Sequence, residues 1–311
     1  MGAIRLNDIL ADLSALDRWD LVDPASPASI AAMSAEPRFS KAAWTLGVNM
    51  ANACVSDKGI AGISKDAGSY VAAMWSIYLH VTGGLTLPSL KALCASSGLL
   101  SPGRARAMVL YLRYLRYVEP GPKPAKGAPA RYVPTQAFIT AWRRHLVAAL
   151  DAACVAEPAL DPFLNRLCEP DAMDILSRIQ AEGLHEAIRA RADHPNTPLF
   201  AIFINRSAGW KILWRLIADS EDGEFPPRRA TNVSAAALAR SFRVSRIHVR
   251  RVLDHADKTR FVYRDQNGML VFSDNARAEV GAHYAVQLNS LLRSATRTLK
   301  ELQQVAAREL A

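Results

Sequence analysis

The stretch "LARSFRVSRIHVRRVLDHADKTRFVYR" (238–264) places four cations or potential cations, Arg246, His248, Arg250 and Arg251, inside six residues. Between and beyond them Val249, Val252, Leu253 and Ala256 recur at steps of three, one and three, the spacing of an apolar stripe on a helix. Ser245, just ahead, carries the short oxygen side chain favoured at a helix N-cap. Upstream, "VSAAALARSF" (233–242) sets Val233, Ala237, Leu238 and Phe242 at helical spacing, with Ser234 as its cap. Downstream, "FVYRDQNGMLVFS" (261–273) is two β-rich runs about Asn267-Gly268, a pair suited to a two-residue hairpin turn with φ > 0 at both positions. The order is helix, turn, helix, hairpin, with the cations left outside the buried stripe.

The same order occurs earlier in the chain. When "LCASSGLLSPGRARAMVLYLRYLRYVEP" (93–120) is set above the first stretch, Leu93 meets Leu238 and Leu99 meets Val244. After one extra residue in the turn, Ser101 meets Ser245, Arg106 meets Arg250, Met108 meets Val252 and Val118 meets Val262. Ser101 is again a cap, and Pro102 stands at the first helical position, where its missing N–H costs nothing. "RYVEPGPKPAKGAPARYVP" (116–134) then reads as strand, Pro/Gly-rich loop, strand. The loop carries Lys123, Lys126 and Arg131, which suits a phosphate contact, although a solvated linker has the same composition.

Charge follows this repeat. Residues 84–150 hold ten Lys and Arg against the single acid Glu119, and residues 228–265 hold ten against three acids. Residues 1–83 hold six against eight. Two basic islands in a neutral frame point to two contacts with a polyanion. The chain of 311 residues, half of them hydrophobic, is of globular composition. Its most apolar stretch, "YVAAMWSIYLHV" (70–81), is too short to cross a bilayer, so no membrane partner and a cytoplasmic, nucleoid-associated location are expected. Cys54, Cys94, Cys154 and Cys168 stand apart among apolar neighbours and read as small buried hydrophobes, with no metal site expected. Trp44, Trp75, Trp142, Trp210 and Trp214 sit at helical spacing and read as core.

The residues "LARSFRVSRIHVRRVL" resemble the helix-turn-helix of the GntR family, where a "VSR" turn precedes a basic recognition helix. The surrounding helix order is similar to that of the MarR family: two helices, the helix-turn-helix, a wing and a long closing helix. Helices are expected over 39–54, 68–83 and 135–154 around the first unit, and over 171–192, 199–220 and 273–310 around the second. The expected fold is mainly α with small β-hairpin wings, two winged helix-turn-helix units forming a MarR-like pseudo-dimer in one chain. Its parts are an N-terminal segment (1–36), a first half (37–156; helix-turn-helix about 86–117, wing 117–134), a linker (157–170) and a second half (171–311; helix-turn-helix about 233–258, wing 260–272). No separate effector domain of the GntR kind is evident.

The resemblance implies a sequence-specific regulator of transcription that binds double-stranded DNA. Two recognition helices related by a twofold meet the major groove about 34 Å apart. Arg106, Arg113, Arg250, Arg251 and Arg264, with Lys123, Lys126 and Arg131, are expected on phosphates; Arg104, Arg246 and His248 face base edges; Ser101 and Ser245 sit at the helix starts. The units differ there, so a non-palindromic operator is expected. The competing reading is a winged-helix protein-interaction module for an acidic partner. Leu288, Leu292, Ala295, Leu299, Leu302 and Ala306 form a heptad seam that either packs along its own chain or makes a homodimer. A small-molecule effector among the helices also stays open. No cofactor is called for, and nothing marks an enzyme: there is no Gly-rich phosphate loop, GxSxG or HExxH, and the acidic run "SEDGE" (220–224) reads as an exposed loop.

Overall fold

The computed structural model describes residues 13–98, 100–123, 125–190, 197–220, 223–230 and 234–309. Leu99 and Val233, and Glu221 and Asp222 of the acidic run, lie outside them. Short helices α1 (Asp17–Asp20) and α2 (Pro27–Ala35) lead into α3 (Phe39–Ser56), α4 (Lys58–Ile63) and α5 (Ala67–Thr82). Then follow β1 (Leu85–Thr86), α6 (Leu87–Ser96), α7 (Pro102–Tyr114), β2 (Val118–Pro120), β3 (Arg131–Pro134) and α8 (Gln136–Ala156). After α9 (Asp161–Arg166) the series recurs: α10 (Pro170–Ala190), α11 (Gly209–Ala218), β4 (Arg229–Ala230), α12 (Ala235–Phe242), α13 (Arg246–Lys258), β5 (Val262–Arg264), β6 (Leu270–Phe272) and α14 (Asp274–Glu309).

Each hairpin gains a third strand that the sequence did not announce. The sheets are antiparallel and ordered β1-β3-β2 and β4-β6-β5, so the two-residue strand before each helix pair closes onto the hairpin. Two residues are too few to show an alternation. The second hairpin also turns differently from expectation. Arg264 pairs with Leu270, Asp265 N–H donates to the Met269 carbonyl, and Gly268 alone takes φ > 0 at 76°. Gln266, Asn267 and Gly268 thus form a three-residue loop, a type I turn closed by a left-handed glycine. The Asp265 carboxylate accepts the N–H groups of Asn267 and Met269, which selects this longer turn over the two-residue one.

The two series bury their helices against one another reciprocally. In each, the leading long helix packs on the closing helix of its own series, α3 on α8 and α10 on α14. Each also packs on the short central helix of the other series, α3 on α11 and α10 on α5, while α8 and α14 meet each other. The resulting core is continuous, running from Ala42 and Leu46 through Trp75, Trp142 and Ile217 to Leu292. Gly47 permits the α3–α11 approach, since a Cβ there would stand 2.7 Å from Ile217 Cγ2. Lys211 of α11 is buried in the same seam and donates from Nζ to the Ala61 carbonyl at 2.9 Å.

Two features differ from the sequence reading, the helix expected over 199–220 and the burial of Cys168. Residues 199–220 are not one helix: Phe200–Ile204 form a π-helical turn, Ala208 takes a left-handed conformation, and α11 starts afresh at Gly209. A Cβ on Gly209 would sit 2.2 Å from the Phe203 carbonyl oxygen, so the break depends on that glycine. The 157–170 linker is itself packed, with Leu160, Phe163 and Leu167 buried in the common core. Cys168 is exposed, whereas Cys54, Cys94 and Cys154 are buried as expected.

The heptad seam packs along its own chain, one of the two arrangements expected for it. Leu288, Leu292, Ala295, Leu299 and Leu302 are all buried within their own chain, against α10, α8 and the N-terminal helices. Asp20 of α1 holds Arg297 at 2.9 Å and Lys300 at 2.7 Å, and Asn289 donates to the Ser29 carbonyl. Apolar burial inside the chain is what holds the seam in this structure. Among the described residues no helix is long and apolar enough to cross a membrane.

Candidate nucleic-acid interface

The second helix of each pair is built the same way. Ser101 Oγ accepts the Arg104 N–H at 3.3 Å and Ser245 Oγ accepts the His248 N–H at 3.1 Å, each satisfying one of the first-turn donors that an α-helix leaves unpaired. Helix α7 buries Ala105, Met108, Val109 and Leu112, and α13 buries Val249, Val252, Leu253 and Ala256. Both helices end alike. Arg116 and Arg260 turn left-handed at φ 57° and 54°, and the N–H of the next residue returns to the carbonyl five residues back, Tyr117 to Leu112 and Phe261 to Ala256. That turn sends the chain directly into β2 and β5. The turns between paired helices also match, with Gly98 and Arg243 both left-handed.

Two residues expected at base edges are engaged by the chain itself instead. Arg104 Nη2 lies 2.9 Å from each carboxylate oxygen of Asp66, the buried N-cap of α5. His248, at the equivalent position of α13, donates from Nε2 to the Ser207 carbonyl, immediately before α11. Each side chain ties its helix to the start of the equivalent preceding helix. Their role is positioning, because a donor already matched to a carboxylate or carbonyl has less left for a base.

The remaining expected residues lie outside. Arg106 and Arg113 are exposed on α7, Arg246, Arg250 and Arg251 on α13, and none of the five enters an ion pair among the described residues. Lys123 and Lys126 are exposed in the loop between β2 and β3, and Arg131 is exposed at the start of β3, paired with Thr86. In the second unit Arg246 and Arg250 do not stand at the centre of the outward face. With Arg264, Asp254 and Ser234 they line a groove of ≈ 520 Å³ between α13 and the β5–β6 hairpin. Arg264 itself donates to the Gly268 carbonyl at 2.6 Å, which steadies the hairpin tip. Three guanidinium groups around one open groove suit a phosphate, which takes two N–H donors from one arginine.

Apart from Arg251, the centre of each outward face holds residues other than the expected cations. On α7 it is Gly103, Ala107, Leu110 and Tyr114, at steps of four, three and four, and all are exposed, Leu110 at 52% and Tyr114 at 82%. On α13 the matching stripe is Ile247, Arg251, Asp254 and Lys258, with Ile247 62% exposed. The sequence carries the signal for them, since these positions fall opposite the buried stripe on a 3.6-residue period. Among the described residues no group of three His, Cys, Asp or Glu side chains could hold a metal ion.

Comparison with known proteins finds no match: no family model, no curated protein and no solved structure is significantly similar to the chain.

Proposed function

We propose that the protein is a sequence-specific double-stranded DNA-binding regulator of transcription, in which two winged helix-turn-helix units related by a pseudo-twofold sit in one chain. The observation that carries this reading is the recurrence of one unit with one exposed helix face. Both α7 and α13 are capped, terminated and pinned by equivalent residues, and both leave arginines outward that pair with no acid among the described residues. Each cation laid on a phosphate releases counterions, so affinity accrues from Arg106, Arg113, Arg250 and the loop lysines without sequence preference, while outward side chains of α7 and α13, Arg251 among them, select bases. The reciprocal packing of α3, α5, α10 and α11 supports the pseudo-twofold, because pairwise exchange of contacts marks a twofold interface.

The test is selection of bound fragments from randomised DNA by the full chain and by an Arg250→Ala, Arg251→Ala variant, at two salt concentrations. An enriched motif that the variant loses in part, with affinity falling steeply as salt rises, is the expected result. Loss of Arg250 removes a phosphate contact and should lower the salt slope by roughly one, while loss of Arg251 relaxes the motif. Absence of enrichment, with weak binding to every fragment, would favour the alternative in which these faces dock an acidic protein.

A further inference from the structure

Resting on that reading, we infer that the two units read chemically different half-sites, and that the first unit reads thymine through its C5-methyl groups, with Leu110 and Ala107 as the specificity-determining contacts.

The outward stripe of α7 carries no charge and is apolar over its first three positions. Gly103, Ala107, Leu110 and Tyr114 share one line of exposed positions, and no hydrogen-bonding side chain interrupts the first three. The same line on α13 is Ile247, Arg251, Asp254 and Lys258, three of which are charged. Both helices carry an arginine beside the stripe at the equivalent place, Arg106 and Arg250. The framing for a polyanion is thus shared and the centre is not. Around α7 the frame is more basic still: Arg106, Arg113, Lys123, Lys126 and Arg131 are exposed, and in residues 84–150 they face one acid, Glu119.

This combination selects the occupant. An apolar stripe alone would fit many partners, but one enclosed by unneutralised cations complements a surface that is anionic at its rim and apolar within. The major groove at thymine has that character, with phosphates at both edges and the methyl group projecting from the base edge. Leu110 at 52% exposure has side chain to bury there, and Ala107 and Gly103 keep the backbone low so that the helix can approach. With Arg104 held by Asp66, the first unit has no bidentate guanine reader on this line, whereas the second presents Arg251 for guanine and Asp254 to accept from cytosine N4.

The experiment uses the full chain and DNA that differs only by methyl groups. Fragments are selected from a randomised pool by the natural protein, by Leu110→Ser and by Arg251→Ala, which assigns each half of the motif to a unit. The natural motif is then resynthesised with deoxyuridine for thymidine in the half that Leu110→Ser relaxes. The expected result is a T-rich first half, a loss of roughly fourfold in affinity per methyl removed for the natural protein, and little or no loss for Leu110→Ser. A first half without thymine preference, or deoxyuridine substitution without effect on the natural protein, overturns the inference and leaves DNA reading by the chain intact. A chain that enriches no motif at all overturns both.

Discussion

Nη2 of Arg104 stands 2.9 Å from both carboxylate oxygens of Asp66, and Asp66 at the same time caps α5 by accepting the Ser69 N–H at 2.8 Å. One carboxylate therefore starts a core helix and fixes the angle of α7 upon it. Replacement of Asp66 by Ala removes the cap and the ion pair together and is expected to cost about 1–2 kcal/mol. Arg104→Ala should cost less, about 1 kcal/mol or under, because half of that side chain faces water. In equilibrium urea denaturation the double variant should be less destabilised than the sum of the two. Strict additivity would mean the pair does not couple α7 to α5.

Ser101 and Ser245 stand at equivalent caps in separate units, so their effects should be alike and independent. Each change to Ala is expected to destabilise by about 1 kcal/mol, and the pair to add. Thermal unfolding of the single and double variants measures this. A null effect at either site would show that Pro102 or the packed stripe suffices to start the helix.

Burial holds His145 of α8 well below its usual range, at about 4, with Nε2 set against the Tyr70 hydroxyl at 3.0 Å and Nδ1 unpartnered. The folded protein keeps this histidine neutral down to that pH, whereas the unfolded chain binds its proton near pH 6.5. Between those values the unfolded state holds more protons, so stability falls as pH falls through the window and is fully present above it. The contribution approaches about 1.4 kcal/mol per pH unit inside the window. His145→Gln should lose less stability than the natural protein between pH 7 and pH 5, as read from urea midpoints, even if it is less stable at both. Parallel losses in the two proteins would remove His145 as the source.

Leu292 of α14 is fully buried under the N-terminal helices and α10. Leu292→Ala should therefore destabilise by about 2–5 kcal/mol through lost burial and a residual cavity. If the seam is spent within the chain, light scattering should return the same molar mass for both proteins at every concentration tested. A mass that doubles in the natural protein and halves in the variant would place the seam between chains instead.

Local features were legible from the chain alone. Ser101, Ser245, Pro102 and the stripes Met108–Leu112 and Val249–Ala256 act within a few residues of themselves, where capping, ring geometry and a 3.6-residue period leave little choice. The repetition of the unit was legible for the same reason, because like local sequences make like local structures. What needed the tertiary structure was every decision about partners distant in sequence. Whether Arg104 faces a base or Asp66 depends on a carboxylate 38 residues away. Whether Leu292 meets its own chain or another depends on helices hundreds of residues upstream. The break at Ala208 and Gly209 brings the backbone so close to the Phe203 carbonyl that only glycine leaves room, and the third strand of each sheet comes from two residues that gain meaning only when paired. Side-chain type and spacing determine what a segment can bury or donate; only the assembled chain decides against what.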